Sequence, residues 1–311
     1  MRLNEAQIKE FSLGCIECTK EKSGYTYARF TPGQVDDFEK RATRFRDRCG
    51  RTSGVRIDFD TDSRAVTVGV AAAGRYEIIV DGLPVAYKVC AATDAVHTIL
   101  PEGNKHVTIM LPWNGKGVID FVQVDEGAYI RHHDFARNFL FLGDSITQGS
   151  TAIRPSCTYA DRVARWFDAN YLNLGVGGTK FFPEVLLKPE FEPDTVFIAY
   201  GTNDFNSSPK EMFLRECKEY MDIIKSWYPE KTVYVISPIW RLDHDLLRPC
   251  GTLADVRSYI IEQAEAHGFK HIDGWKLVPH DVEYFADGRL HPNDMGMSVY
   301  AEQLIKAILT K

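Results

Sequence analysis

The hydrophobic rhythm of the chain changes at Phe139, and that change restricts its fold more than any other feature. Ahead of it, apolar residues recur at every second position in short runs: GVRIDFDTD, AVTVGVA, YEIIVDG, HVTIMLP and GVIDFVQVD. Period two sends alternate side chains to opposite faces of a strand, so each run has one face to bury. Gly, Asp-Gly and Pro-x-Asn-Gly separate the runs, and many such strands without intervening helices predict an all-β sandwich. The polar stretch PGQVDDFEKRATRFRDRCG is the exception and reads as a short helix or a long loop.

From Phe139 onward the apolar runs are continuous: FLFLGDS, YLNLGVGG, DTVFIAYGTND, TVYVISPIW and FKHIDGW. Helical patterns lie between them, over TYADRVARWFDA, PKEMFLRECKEYMDIIKSWY and 252–267, the last stopped by Gly268, with a closing helix over 294–309. Uninterrupted apolar strands alternating with helices predict a five-stranded parallel sheet covered on both faces. The division is therefore a sandwich over residues 1–130 and an α/β domain over 131–311. The connector GAYIRHHDFARN holds Tyr129, Ile130 and Phe135, which are costly to leave in water. The two domains are thus expected to pack together, the front one helping to wall the cleft near His291. His132 and His133, beside Asp134, read as a solvated linker, since no third metal ligand accompanies them.

In an open α/β sheet, ligands bind at the carboxyl ends of the strands. Those ends carry Gly143-Asp144-Ser145-Ile146-Thr147-Gln148-Gly149, then Gly175-Val176-Gly177-Gly178, then Gly201-Thr202-Asn203-Asp204. Beyond the fifth strand comes Asp287-Gly288-Arg289-Leu290-His291-Pro292-Asn293-Asp294. A serine, bare glycine backbone, an amide and an imidazole thus meet on one sheet edge, the parts that acyl transfer needs. A dinucleotide loop is excluded at NLGVGG, which lacks the GxGxxG spacing.

GDSITQG, NLGVGG, GTND and DGRLHPND, in this order, resemble the four blocks of the SGNH (GDSL-type) hydrolase superfamily over about residues 139–311. The resemblance implies a three-layer, flavodoxin-like catalytic domain and a serine esterase mechanism without cofactor or metal. It makes Ser145 the nucleophile and His291 the base. The oxyanion donors are then the Ser145 and Gly178 N–H groups and the Asn203 amide. The sequence departs from the family at the acid: Asp is usual three residues before the histidine, where this chain has Gly288. Asp287, four before, orients His291 if a turn carries it there; otherwise a backbone carbonyl does so and the pair is a Ser–His dyad. Asp144 reads as a loop-organising acceptor, Asp204 as a support for its loop and Asp294 as an N-cap of the last helix. Trp240 and Arg241, ending the fourth strand, either line the cleft or are a buried aromatic and a surface charge. His244, His267, His271 and His280 carry no motif and read as structural or exposed.

A sandwich ahead of such a domain is similar to the two-domain carbohydrate esterases, which implies a jelly-roll-like sandwich and acetylated sugar as substrate. The competing readings are a lysophospholipase or thioesterase for longer acyl chains, an acyltransferase, and a carbohydrate-binding protein with an inactive hydrolase domain. The partner expected is a small-molecule or carbohydrate ester. The 26% charged residues are of interspersed sign and sum to −6, which argues against a nucleic-acid or anionic-membrane binder. No run approaches the ~18 apolar residues of a membrane span. Without a signal-like apolar core in MRLNEAQIKEF, a cytoplasmic location is expected. The seven cysteines are scattered, and the Cys15–Cys18 CxxC has no second pair, so they read as small buried thiols.

Overall fold

The structure, a computed structural model, describes residues 1–310. The front half forms two antiparallel sheets. One runs in the order Ser12–Leu13, Arg56–Thr61, Lys105–Met110, Gly74–Val80, Leu83–Cys90, with Ile130–Arg131 paired to Arg56–Thr61. The other runs Glu17–Glu21, Gly24–Ala28, Ile119–Val124, Ala65–Val70, Asp94–Ile99. Alternate residues Ile57, Phe59, Ile78, Val107 and Ile109 of the first meet Val66, Val68 and Val122 of the second in one core. This is the expected jelly-roll-like sandwich.

The back half is a five-stranded parallel sheet in the order Ala169–Asn173, Arg137–Gly143, Thr195–Ala199, Thr232–Ile236, Lys270–Ile272. The buried stretches of the three inner strands are largely apolar because both faces are covered. Leu140, Leu142, Val196, Ile198 and Val235 point toward helices Lys210–Trp227 and Leu253–Ala266. Phe139, Phe141, Phe197 and Tyr234 point the other way, toward helices Tyr159–Trp166 and Asp294–Leu309. The first strand in sequence lies between the second and third, so the chain reverses direction between Arg137–Gly143 and Thr195–Ala199, the place where such sheets open a ligand crevice.

The polar stretch of the front half becomes two helices, Pro32–Arg41 and Arg44–Cys49. Thr31 and Gln34 form a capping box at the start of the first. Phe38 and Phe45 join the core of the parallel-sheet domain rather than that of the sandwich. This packing delivers front-half residues to the strand ends where the site lies.

The joint is polar and closely bonded. Strand Arg56–Thr61 is buried on both faces, its outward residues lying against the other domain. Arg56 donates to Tyr171 O at 3.1 Å and to Asn170 Oδ1 at 2.7 Å. Buried Glu77 accepts from the backbone and hydroxyl of Ser156 at 2.9 and 2.8 Å. His133, expected in a solvated linker, instead bridges Asp60 and Asp168 at 2.8 and 3.0 Å and stacks on His106 with centroids 3.7 Å apart. Burial opposes its charged form, but Asp168 and Asp60 prevail and raise its pKa. Phe135 stands edge-on to both imidazoles, half-buried, as are Tyr129 and Ile130. His132 is exposed beside Glu10. All seven cysteines are free thiols, with Cys18 in strand Glu17–Glu21 and Cys15 just ahead of it. Among the described residues, no helix is long and apolar enough to cross a membrane.

Candidate active site

Ser145 opens the short helix Ser145–Gln148 directly after strand Arg137–Gly143. Asp144 caps it, its carboxylate accepting from Ile146 N at 3.0 Å, which is the loop-organising role expected of it. Burial pushes the Asp144 carboxyl up to about 6, against the pull of the Ile146 N–H, His291 and Arg241.

Ser145 Oγ lies 2.9 Å from His291 Nε2. On the other side of the ring, Asp287 Oδ2 lies 2.7 Å from Nδ1. Of the two arrangements left open by the sequence, the structure contains the carboxylate one. The departure from family spacing is absorbed by the turn. Gly288 has φ +62°, in the left-handed region that glycine enters without steric cost. Asp287 Oδ1 then accepts from the backbone of Arg289, Leu290 and His291 at 3.0, 2.7 and 3.1 Å. The Ala286 N–H closes the loop on His291 O at 2.8 Å. Burial alone would raise the Asp287 carboxyl; the Leu290 N–H, the imidazole and the other two N–H donors overcome it and hold the group well below the usual carboxylate range.

Gly178 and Asn203 line the same cleft as Ser145 and His291. Gly178 has φ +83°, and the Gly177 N–H before it is fixed by Gln148 Oε1 at 2.8 Å. Asn203 lies in the first turn of helix Thr202–Ser207. Its amide donates to Thr179 O at 3.0 Å and, more weakly, to Asp144 Oδ2 at 3.3 Å.

Trp240 and Arg241 do not line this cleft. Trp240 is a buried aromatic, packed against Phe285 and His280. Arg241 is neither a cleft residue nor a surface charge: it is fully buried because its partners lie inside. It donates to Thr202 O at 2.9 Å, Asn206 Oδ1 at 2.7 Å and Asp243 Oδ1 at 2.6 Å. Asp243 in turn receives Arg289 at 3.1 Å. The chain Arg241–Asp243–Arg289 therefore ties the Asn203 helix to the His291 loop. Burial would raise the Asp243 carboxyl, but Arg241 and Arg289 bring it down to about 2. Asp294 also differs from expectation: Asn293 caps the last helix, accepting from Gly296 N at 3.0 Å, while Asp294 receives Ile153 N at 2.9 Å.

The front half contributes residues that local sequence reading missed. Arg48 and Arg51 line the cleft, and Gln148 binds Arg48 O through Nε2 at 2.8 Å. Buried Arg29 donates to Asn173 O, Gly175 O and Arg51 O at 2.7, 3.0 and 2.7 Å, locking the helix that carries Arg48 onto the second block. A polar helix ahead of the domain, spaced at i and i+3 with arginine, was the only signal for them. His267, His271 and His280 bond Asp222, Ser237 and the Trp275 carbonyl, and His244 packs edge-on to Trp275. Among the described residues, no group of three or more His, Cys, Asp or Glu side chains is placed to hold a metal ion.

No curated protein matches the chain in sequence. Among solved structures, it is similar to a salicylyl-acyltransferase from a tetracycline biosynthetic pathway, at 20% identity and TM-score 0.83 over 96% of this chain and 94% of that one. It is also similar to a GDSL-like lipase from Bacteroides ovatus, at 18% identity and TM-score 0.74 over 100% and 97% of the two chains. An acetyl xylan esterase from the rumen bacterium Butyrivibrio proteoclasticus shares the fold at 14% identity and TM-score 0.62, over 100% and 98%. The sequence model of GDSL-like lipases/acylhydrolases matches residues 141–299, from the strand that leads to Ser145 to the helix that follows His291. With half of its length in that match, the chain belongs to the GDSL-like lipase/acylhydrolase family and is an SGNH-type ester hydrolase.

Proposed function

We propose that the protein hydrolyses small esters, acetyl esters of carbohydrates first among them, through an acyl-enzyme formed on Ser145. The observation that carries this reading is the unbroken relay from Ser145 Oγ to His291 at 2.9 Å and from His291 to Asp287 at 2.7 Å. Ser145 Oγ attacks the ester carbonyl carbon while His291 Nε2 takes its proton. The C–O bond to the alcohol then breaks, and His291 returns the proton to the leaving oxygen. Water repeats the sequence on the acyl-enzyme and regenerates Ser145. Asp287 keeps the imidazole in the tautomer whose Nε2 is free to accept. The carbonyl oxygen, negative in the transition state, is received by the Ser145 and Gly178 N–H groups and the Asn203 amide. Asn203 meets it by giving up the longer of its two contacts, that to Asp144.

The carbohydrate assignment is supported by the fold shared with the acetyl xylan esterase and with a family two carbohydrate esterase from Cellvibrio japonicus, the latter at 17% identity and TM-score 0.65. A screen of acetylated sugars and p-nitrophenyl esters tests it, with Ser145→Ala as control. Acetate release from sugars that is lost in the variant is expected; turnover confined to long acyl chains would overturn the assignment. A second reading, acyl transfer to an acceptor alcohol instead of water, is favoured by the TM-score of 0.83 to the salicylyl-acyltransferase. Product analysis with added acceptor alcohols separates the two, since a transferase yields a new ester where a hydrolase yields free acid.

A further inference from the structure

The cleft at Ser145 is cationic in a protein whose formal net charge is −6. Arg48, Arg51 and Arg289 line it, and no aspartate or glutamate does. Arg48 is half-buried against the oxyanion turn: its Nη1 donates to the Gly177 carbonyl and lies 2.6 Å from where a Cβ on Gly178 would stand. Arg51 and Arg289 line the same cleft.

The carboxylates within reach pair Arg51 but leave Arg48 and Arg289 without a full counter-charge. Arg51 has Asp47 at 3.0 Å. Arg289 has only a share in Asp243, which also serves Arg241 and Arg248 at 2.6 and 3.0 Å, so one negative charge faces three positive ones. Arg48 donates to a neutral carbonyl. Burial, with Arg44 and Arg51 beside it, lowers its pKa, as like charges crowded together require. A guanidinium has five donors in a planar fork and matches carboxylate, phosphate or sulfate oxygens better than neutral hydroxyls. In a partly desolvated cleft, such a pair is stronger than at an open surface.

We infer that the natural ester carries an anionic group, bound in the Ser145 cleft by Arg48 with Arg51 and Arg289. The inference rests on the ester-hydrolase reading of Ser145 and His291 and narrows its substrate class. The charge can be borne by the acyl part or by the alcohol part. Either part enters the cleft that Ser145 shares with the three guanidiniums.

The test compares kcat/KM for matched neutral and anionic esters at low ionic strength. One arm sets p-nitrophenyl valerate against p-nitrophenyl hemisuccinate, of equal acyl length, with the charge on the acyl part. The other sets acetylated glucose against acetylated glucuronate, with the charge on the alcohol. A preference of about tenfold or more for the charged ester is expected in one arm, the size of a charge-assisted hydrogen bond. The arm that shows it identifies the charged half. Arg48→Gln should bring that preference close to one, and Arg48→Lys should keep part of it. Arg46→Gln, on the same helix but exposed and paired with Asp36 and Glu39, should leave it intact. About 1 M salt should weaken the preference in the unaltered protein. Equal kcat/KM for charged and neutral esters in both arms would overturn the inference while leaving the hydrolase reading standing. So would an Arg48→Gln variant that slows both members of a pair alike, since Arg48 would then only prop the glycine turn. Failure to turn over any of the four esters would overturn the hydrolase reading itself, and this inference with it.

Discussion

Asp287 Oδ2 meets His291 Nδ1 at 2.7 Å from four positions upstream, one residue farther than the usual family spacing, and Gly288 makes the difference. The extra residue is spent in the left-handed region, and the three N–H groups that follow close onto the other carboxylate oxygen. Asp287 therefore binds the turn through one oxygen and the imidazole through the other.

Asp287→Asn should lower kcat by as much as ~10⁴-fold, because an amide at this place favours the wrong imidazole tautomer. Steady-state kinetics of the folded variant check this. A loss of about tenfold or less would mean that the carboxylate matters to the turn alone.

Gly288→Ala isolates the turn. A Cβ there meets nothing within 4 Å, so the cost is confined to the backbone, about 1–2 kcal/mol for φ +62°. The expected outcome is a modest fall in Tm with a larger proportional fall in kcat, as the Asp287–His291 contact lengthens.

Asn203→Ala removes a donor that strengthens only in the transition state, so kcat should drop by ~10²–10³ with KM little changed. A rise in KM alone would make Asn203 a ground-state binder.

Arg241→Leu should destabilise the protein by about 3 kcal/mol or more, measured by urea denaturation, because it takes the buried donor from the Thr202 carbonyl and Asn206 Oδ1 and the shortest contact from Asp243. Activity should also fall, although Arg241 does not itself line the cleft, since it holds Asn206 and the Asn203 helix and, through Asp243, Arg289. Unchanged stability would contradict its place under the site.

Asp204 is fully buried, and that burial pushes its carboxyl up to about 7 from an ordinary 3.8. The native state keeps a proton that the unfolded chain loses, so the contribution to stability is full below about pH 4 and is lost as pH rises through about 7. Asp204→Asn should flatten this dependence, raising Tm relative to the unaltered protein at pH 8 and much less at pH 5. Parallel Tm curves for the two proteins across that range would contradict it.

The two-part fold was legible because burial dictates pattern: Leu140 and Phe141 face different cores, so their strand cannot alternate, whereas Ile57 and Arg56 face a core and a polar joint, so theirs must. That Ser145, Gly178, Asn203 and His291 meet in one cleft could be read because each ends a strand or follows one in a contiguous motif. Arg48 could not, since its place depends on Phe38 and Phe45 docking into a core built mostly from residues of the other half of the chain. Arg241 was misread because a charge after a strand ordinarily faces water, and its partners Thr202 and Asn206 come from another strand–helix turn. His133 belongs to the same class, its two carboxylates lying 73 and 35 positions distant.

The central claim, that Ser145 is the activated nucleophile, is tested most directly by labelling the intact protein with a serine-directed fluorophosphonate and mapping the adduct by peptide mass spectrometry. The account predicts one label per chain, on Ser145, with none in Ser145→Ala and no ester hydrolysis left in that variant. A label on another serine, or hydrolysis that persists in well-folded Ser145→Ala, would contradict it.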